Sequence, residues 1–143
     1  VGVFLLDAQA PGVKRVAQLT TNAEPHARLE LAGAVVGDGD VLGDPRAGAT
    51  IVRWLEQRAL LAYCAIQVGV CDRVLRMTAE YTTGREQFGK PIATFQAVQQ
   101  RAADAYIDLE AIRLSTWEVA FRLAQGLPAD DEALIAKFWA AEG

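Results

Sequence analysis

The hydrophobic period changes once along the chain, from alternation in the first third to helical spacing in the rest. In residues 1–44, short apolar runs, turn signals and a period of two predict β-strands. Apolar residues then recur every three or four positions over about 45–83, and again over about 94–125 and after 130. This pattern predicts a mainly α chain with a small β part, in which an antiparallel helical bundle follows the remnant of a larger β domain.

The β part is predicted to contain strands at 3–6, 13–20 and 27–31, with a turn at the Ala-Pro-Gly of 10–12. The last strand alternates strictly, as a half-buried strand does. The Gly-Asp-Gly-Asp of 37–40 resembles a calcium loop but lacks the spaced carboxylates and closing Glu of an EF-hand, so we interpret it as a solvated turn. Because three such strands cannot close a sheet, we assign residues 1–44 to the end of a larger β domain and 45–143 to a truncated helical domain.

The first predicted helix is apolar on most of its circumference, which is typical of a helix inside a bundle. Gly69 in its middle costs roughly 1 kcal/mol relative to Ala, so we expect a neighbouring helix to approach closely there. The main apolar face is predicted to contain Ile51, Trp54, Leu55, Ala59, Ala62, Ile66, Gly69, Val70, Val74 and Met77. The second face contains Leu60, Tyr63, Cys64, Val68, Cys71 and Leu75.

The second predicted helix ends at Gly126, with Pro128 just beyond it. Its predicted buried face comprises Val98, Ala102, Ala105, Leu109, Ile112, Thr116, Val119, Ala120 and Leu123. Asp130 is then predicted to cap a third helix, which carries the large apolar residues Leu134, Ile135, Phe138 and Trp139. Because no stop signal ends that helix at Gly143, we expect the chain to continue.

Composition narrows the function classes. A net charge of −4 argues against a general nucleic-acid binder, and no uninterrupted apolar run reaches the length of a membrane span. Cys64 and Cys71 lie about 10 Å apart along one helix, too far for a disulfide, and a single histidine, His26, cannot build a usual metal cluster. A reduced, cytoplasmic protein is the simplest interpretation. A hydrophobic fraction of 52% favours extensive helix contacts, including contacts between subunits.

A charged segment joins the first two helices. Helical periodicity stops at Gly84 and cannot resume before Pro91, which also pushes Lys90 toward an extended conformation. Thr94 is predicted to cap the second helix by accepting a backbone N–H. The segment is interpreted either as a plain turn or as a binding loop held between two stiff helices.

The sequence of this segment carries a family resemblance. Arg-Glu-Gln-Phe-Gly-Lys-Pro-Ile at 85–92, followed by Phe-Gln-Ala-Val-Gln at 95–99, resembles the flavin-contacting segment of acyl-CoA dehydrogenases. Residues 4–7 and 10–13 resemble the middle β domain of that family, and 136–140 is similar to a later helix of its C-terminal domain. The resemblance implies a four-helix C-terminal domain preceded by a β-barrel domain, whose remnant would be residues 1–44. It also implies an oligomer, normally a dimer of dimers, with FAD at the subunit interface.

The resemblance also implies a reaction in fatty acid or lipid metabolism. An acyl-CoA thioester is dehydrogenated between its α and β carbons, with hydride transfer to the flavin, and electrons leave to an electron-transfer flavoprotein. Arg85 would contact the pyrophosphate of FAD held mainly by the partner subunit, Gln87 and Phe88 would flank the cofactor, and Gln96 would hydrogen-bond it. A planar guanidinium fork suits phosphate oxygens, and a phenyl ring can lie against an aromatic ring.

The sequence departs from one family pattern at the position of the catalytic base. Some members place a catalytic Glu at the position held here by Ala59, which cannot abstract a proton. The commoner position lies beyond Gly143, so the base is expected there. Glu56 is the only nearby substitute, about one helical turn from Ala59.

The expected substrate contacts depart as well. Gln57 and Leu60 stand where the family often has an Asp and an Arg that help to hold acyl-CoA, and Arg58 lies on a different helical face. Gln57 and Arg58 are therefore only candidate substrate-binding residues. The alternatives are a degenerate subunit of a heteromeric dehydrogenase, a non-catalytic oligomerisation module, or an acyl-CoA oxidase. The acyl group, whether linear, branched or steroid-derived, stays open.

Overall fold

The computed structural model describes residues 2–142 and is mainly helical, with two small antiparallel hairpins. The mainly α prediction is confirmed, and no described helix is both long and apolar enough to cross a membrane. The strands and helices are β1 Val13–Gln18, β2 His26–Leu31, α1 Gly48–Gly84, β3 Glu86–Gln87, β4 Lys90–Pro91, α2 Gln96–Ala124 and α3 Asp130–Glu142.

Two compact units make up the chain, Val1–Trp54 and Leu55–Gly143. The predicted domain boundary between residues 44 and 45 stays a prediction. Helix α1 begins later than expected because Asp44 organises a turn: its carbonyl accepts the Ala47 N–H at 2.8 Å and its carboxylate accepts the Arg46 N–H at 2.8 Å.

In the first unit, β1 and β2 form a hairpin whose register runs from Val13 opposite Leu31 to Gln18 opposite His26. Both strands agree with the predicted positions to within two residues. The predicted half-burial of β2 is wrong, since Leu29 and Leu31 are 50% and 59% exposed. No second sheet layer is present among residues 2–142 to cover them.

The predicted strand at 3–6 is also wrong. It is reduced to one antiparallel bridge between Phe4 and Val41, supported by the Leu5 N–H on the Asp40 carbonyl at 2.8 Å. The chain returns here through a single turn of 3-10 helix, Asp38–Asp40, in the stretch that resembles a calcium loop. Within residues 2–142 no three His, Cys, Asp or Glu side chains are placed to hold a metal ion.

In the second unit the three helices pack around one small cluster. Its buried members are Cys64 of α1, Val119 of α2, and Ala133 and Ala136 of α3. Leu60, Leu61, Leu123 and Ala140 are partly buried against it. Small residues on α3 allow close packing of that helix. The large apolar residues predicted for α3 point elsewhere and are at least 36% exposed: Leu134, Ile135, Phe138 and Trp139.

Helix α1 packs through the second of its two predicted apolar faces. Cys64 is fully buried and Leu60, Val68, Cys71 and Leu75 are half-buried. The predicted main face is exposed, because α2 and α3 cover only one side of α1 among the described residues; it includes Trp54, Leu55, Ile66, Val70, Val74 and Met77. The expectation for Gly69 is wrong too, since a Cβ there would meet no atom within 4 Å.

The buried face of α2 is confirmed at its centre and not at its beginning. Leu109, Ile112, Thr116 and Val119 are buried. Ala102 and Ala105, although predicted to be buried, are exposed. The first turns of α2 therefore have no covering helix among residues 2–142.

Helix α2 ends as predicted at Gly126, whose φ is +68°. The Leu127 N–H donates to the Arg122 carbonyl at 2.9 Å and the Gly126 N–H to the Leu123 carbonyl at 3.3 Å, which is the Schellman pattern. Asp130 is the first residue of α3 and so lies one position later than a cap.

A polar bridge links α1 to α2 beyond the packed cluster. Asp72 of α1 accepts from Arg113 of α2 at 3.1 Å and from Arg76 of its own helix at 2.8 Å. The Arg76 hydrogen bond, aided by Arg113 and opposed by partial burial, lowers the pKa of the Asp72 carboxyl. Arg113 also donates to Glu110 at 3.0 Å. The bridge thus links the two long helices through partly exposed side chains.

Candidate functional site

A two-residue hairpin turn joins α1 to α2 at the end of the helical unit. Glu86 pairs with Pro91 and Gln87 pairs with Lys90, so the turn consists of Phe88 and Gly89. Their φ values are +55° and +76°, and positive φ at both central residues is characteristic of a type I′ turn. The predicted end of α1 at Gly84 and the extended Lys90 are both confirmed.

Phe88 is an unusual residue for this position. Asn, Asp or Gly normally stands first in a type I′ turn, because a residue with a Cβ costs about 1–2 kcal/mol in the left-handed region. The Phe88 side chain is also 93% exposed, so core packing does not offset that cost. A strained backbone that presents an exposed aromatic ring is the kind of outlier that points to a binding role.

The neighbouring polar groups are available to a ligand. The Arg85 side chain forms no ion pair or hydrogen bond with any residue from 2 to 142, and Gln96 is exposed at the first position of α2. Gln87 is also exposed, and its amide nitrogen donates to the Glu86 carbonyl at 2.8 Å. The backbone N–H of Ile92 donates to the Arg85 carbonyl at 2.8 Å, which brings Arg85 to the foot of the hairpin.

The predicted capping role of Thr94 is wrong. A 3-10 turn, Ile92–Thr94, lies between the hairpin and α2, and the Thr94 hydroxyl donates to the Pro91 carbonyl at 2.7 Å. Phe95 takes the cap position without a side-chain hydrogen bond to the helix.

Sequence reasoning missed the role of Phe95 in this hairpin. The Lys90 ammonium lies 4.5 Å from the centre of the Phe95 ring, and the Phe88 ring meets it edge-on with centres 6.3 Å apart. Nothing in the hydrophobic pattern points to these contacts, since Phe95 falls in the break between two helical periods. The contacts arise because the type I′ turn places Lys90 and Phe88 near the Phe95 ring.

An open groove runs between α1 and α2 from the polar bridge toward the hairpin. It has a volume of about 1170 Å³ and lies between 67–82 of α1 and 97–112 of α2. Val70 and Val74 line one wall, and Asp104 and Asp108 lie on the other. Apolar and polar groups therefore both line the groove, and none of the hairpin residues 85–92 belongs to its lining.

The candidate substrate and catalytic residues lie near the opposite end of α1. Gln57 is separated from Gly84 by about 40 Å, at about 1.5 Å per helical residue. Its amide nitrogen donates to the Asp130 carboxylate of α3 at 2.8 Å. Leu60 packs against the buried cluster around Cys64. Both residues that replace the family's charged pair are thus engaged within the helical unit.

The other two candidates at that end differ in exposure. Glu56 is exposed, and its carboxylate has no hydrogen-bond partner among residues 2–142. Arg58 is half-buried and already has an interaction within the chain. The structure therefore groups Arg85, Gln87, Phe88 and Gln96 in one place and separates them from Glu56–Arg58.

Comparison with known families agrees with the architecture of the helical unit. The model of the acyl-CoA dehydrogenase C-terminal domain matches residues 47–143. The chain belongs to the acyl-CoA dehydrogenase family. It is 43% identical over 148 aligned positions to acyl-CoA dehydrogenase FadE27 of Mycobacterium tuberculosis, covering 98% of this chain and 39% of that protein.

Solved acyl-CoA dehydrogenase structures share the fold. The ChsE4–ChsE5 complex from Mycobacterium tuberculosis matches with a TM-score of 0.92 and 45% identity over 99% of this chain and 37% of that one. The Tcur3481–Tcur3483 steroid ACAD matches with a TM-score of 0.87 and 39% identity, again over 99% and 37%. The chain thus spans about two-fifths of the length of these relatives.

The groups at the hairpin fit FAD, the cofactor of acyl-CoA dehydrogenases. A guanidinium without an internal partner matches a pyrophosphate, since Arg binds phosphate oxygens through two parallel hydrogen bonds. An exposed phenyl ring suits an aromatic heterocycle. The N-terminus of α2 beside Gln96 adds a positive helix dipole, which favours a bound anion.

Proposed function

We propose that this chain forms one wall of the FAD site of an acyl-CoA dehydrogenase. The assembled enzyme would oxidise an acyl-CoA thioester between its α and β carbons and pass the electrons to an electron-transfer flavoprotein. The observation that carries the proposal is the group at the hairpin: an Arg85 side chain without a partner among residues 2–142, a strained and exposed Phe88, and an exposed Gln96. Membership of the family supports the same reaction.

Each hairpin residue has a distinct part in this proposal. Arg85 neutralises and orients the pyrophosphate, Phe88 lies against a ring of the cofactor, and Gln96 hydrogen-bonds it. Gln87 flanks the cofactor. Bound FAD supplies the hydride acceptor. Because the whole group is exposed at one end of the helical unit, a second subunit would supply the remainder of the site.

The catalytic base belongs, in this proposal, to a residue outside 2–142. Ala59 has no ionisable group, and Glu56 lies about one helical turn from the position at which some family members carry the base. A general base must come within hydrogen-bond reach of the proton that it removes. Isolated residues 1–143 would therefore have no dehydrogenase activity.

The test is flavin binding by the full-length protein with its partner subunits. Arg85→Ala and Gln96→Ala should each weaken FAD binding, Arg85→Ala by about 10- to 100-fold because it removes charge-assisted hydrogen bonds. Visible absorbance of the purified protein and titration of the apoprotein with FAD measure the effect. Arg73→Ala and Gln100→Ala, which change exposed residues of the same types on α1 and α2, are the matched controls.

Three results would separate the alternatives. A full-length protein that never binds flavin would favour the non-catalytic oligomerisation module. Equal weakening by Arg73→Ala and Arg85→Ala would mean that the hairpin has no special role. Formation of hydrogen peroxide during turnover, without a need for an electron-transfer flavoprotein, would identify an acyl-CoA oxidase.

A second candidate is a subunit with a degenerate substrate site in a heteromeric dehydrogenase. The hydrogen bond from Gln57 to Asp130 and the packing of Leu60 favour it, because both positions are used internally. The matching ChsE4–ChsE5 and Tcur3481–Tcur3483 structures bear two-component names. Turnover by this subunit alone, with one active site per chain, would exclude the degenerate form.

The neighbour named a steroid ACAD favours a steroid-derived acyl group over a linear one. Turnover of a CoA thioester of a steroid side chain should then exceed turnover of a linear acyl-CoA of equal acyl-chain length. Faster turnover of the linear substrate would reject this choice without affecting the flavin site.

A further inference from the structure

The Phe95 ring stands at the junction between the hairpin and α2, on a backbone that is held from both sides. Its N–H donates to the Ile92 carbonyl at 3.1 Å. Its own carbonyl accepts the Val98 N–H at 3.0 Å and the Gln99 N–H at 3.1 Å. The ring therefore projects from a fixed point at the beginning of α2, immediately before Gln96.

Two side chains from opposite sides of the hairpin turn meet this ring. Lys90 places its ammonium 4.5 Å from the ring centre, inside the range of a cation–π contact. Phe88 meets the ring at an interplanar angle of 90° with centres 6.3 Å apart, an edge-to-face pair. One ring thus contacts both residues that flank Gly89.

Two hydrogen bonds hold the foot of the hairpin, from the Ile92 N–H to the Arg85 carbonyl and from the Thr94 hydroxyl to the Pro91 carbonyl, and neither involves the tip. Two residue pairs form the whole ladder, and an isolated two-stranded hairpin is marginally stable in water. Phe88 is 93% exposed and occupies a strained backbone region, so its own packing does not fix its direction. The contacts to Phe95 are the side-chain interactions that tie the turn to α2.

We infer that Phe95 is a positioning residue for the flavin site and that Lys90 acts through the Phe95 ring rather than on the cofactor. This inference rests on the proposed function, because it concerns the same FAD site. Phe95 sets the distance between Phe88 at the tip and Gln96 on α2. Holding both groups in place before binding lowers the ordering cost of binding and so tightens it.

A double-mutant cycle on the full-length protein, with FAD affinity as the readout, tests the inference. Lys90→Met keeps the length of the side chain and removes its charge, and Phe95→Leu removes the ring. Each should weaken FAD binding by about 2- to 5-fold, in line with an exposed cation–π contact. The double variant should bind FAD no more weakly than Phe95→Leu alone. Lys90→Arg and Phe95→Tyr, which keep the cation and the ring, should stay within about twofold of wild type.

Hydrogen exchange of the FAD-free protein gives a second readout. The Ile92 amide, bonded to the Arg85 carbonyl, should exchange faster in Phe95→Leu and in Lys90→Met, because the hairpin opens more often. Circular dichroism checks that the helices are retained. Should Phe95→Leu lose its helices, Lys90→Met against Lys90→Arg still decides the matter, since Lys90 is exposed.

The outcomes distinguish this inference from the proposed function. A wild-type protein that binds no FAD would overturn both. A wild-type protein that binds FAD, with additive losses in the double variant, would show that Lys90 acts independently of Phe95 and would overturn the inference alone. Unchanged FAD affinity in Phe95→Leu would also overturn the inference and leave the proposed function intact.

Discussion

The packed end of the helical unit and the hairpin between α1 and α2 place similar side chains in opposite surroundings. Ile112 and Val119 are fully buried, whereas Phe88 is 93% exposed on a strained turn. Charged groups follow the same division. Arg113 and Arg122 are bonded to carboxylates of their own unit, and Arg85 forms no ion pair among residues 2–142.

Within one short domain, the packed end therefore serves stability and the hairpin is left available for binding. At the packed end, apolar burial stabilises the fold and polar groups are satisfied internally. At the hairpin, a local arrangement that does not stabilise the fold leaves a cation, an aromatic ring and an amide accessible to a ligand. On α1 and α3, large apolar side chains such as Trp54, Met77 and Phe138 are exposed among the described residues and contribute nothing to the packed cluster.

The largest expected effect is at the packed end. Ile112→Ala should lower the free energy of unfolding by about 2–5 kcal/mol, because it leaves a cavity at a fully buried site. Ile107→Ala on the same helix is the control and should change it by less than about 0.5 kcal/mol, since Ile107 is 64% exposed. Chemical denaturation measures both. Similar losses at the two positions would break the contrast between packed and open faces of α2.

A smaller effect of opposite sign is expected at the hairpin. Phe88→Asn should raise the free energy of unfolding by up to about 1 kcal/mol, because Asn tolerates the left-handed region of a type I′ turn. FAD binding by the full-length protein should weaken, since the ring is lost. Phe88→Leu is the control: it removes the ring but lacks the short polar side chain that lets Asn tolerate the left-handed region, so stability should not rise. A clear loss of stability in Phe88→Asn would mean that Phe88 serves the fold.

The smallest effect concerns the thiol at the centre of the packed cluster. Burial raises the pKa of Cys64, and the nearby Lys137 charge opposes the shift. As pH rises, the Cys64 thiol therefore loses its proton at a lower pH in the unfolded chain than in the folded protein. The contribution to stability is complete below the ordinary thiol pKa of about 8.5, and it is lost as pH rises through the folded-state pKa.

Chemical denaturation at about pH 7 and about pH 10 measures this alkaline loss. Cys64→Ala should remove the part of the loss that comes from the thiol. Cys71→Ala, which leaves Cys64 in place, should keep it. An unchanged pH dependence in Cys64→Ala would show that the buried thiol is not coupled to folding.

The position of the hairpin between α1 and α2 was predictable from the sequence, but its backbone form was not. Gly84 and Pro91 mark the break between the helices, and the motif from Arg85 to Gln96 carries the family resemblance. The type I′ turn and the Phe95 contacts were not predictable, because Phe is atypical of that turn and ring contacts depend on side-chain geometry. The cap at Thr94 failed because a 3-10 turn intervened.

Two features of the fold were also not predictable from the sequence: the hydrogen bond of Gln57 and the choice of the buried face of α1. The hydrogen bond from Gln57 to Asp130 joins residues 73 positions apart, and no local pattern signals it. Helix α1 is apolar on two faces, so periodicity alone could not decide which face packs. The exposed Gly69 follows from that choice.

The sequence by itself determined the helices, their breaks at Gly84, Pro91 and Gly126, and the family. The helices and their breaks depend on backbone preferences and spacings that act within a few residues, and the family follows from the resemblance carried by the motif from Arg85 to Gln96. Only the tertiary structure decided which face of α1 is buried, that Gln57 is bonded to α3, and that Phe88 is exposed under strain. These outcomes depend on which neighbours are present, because burial is a property of the packed chain and not of any single segment.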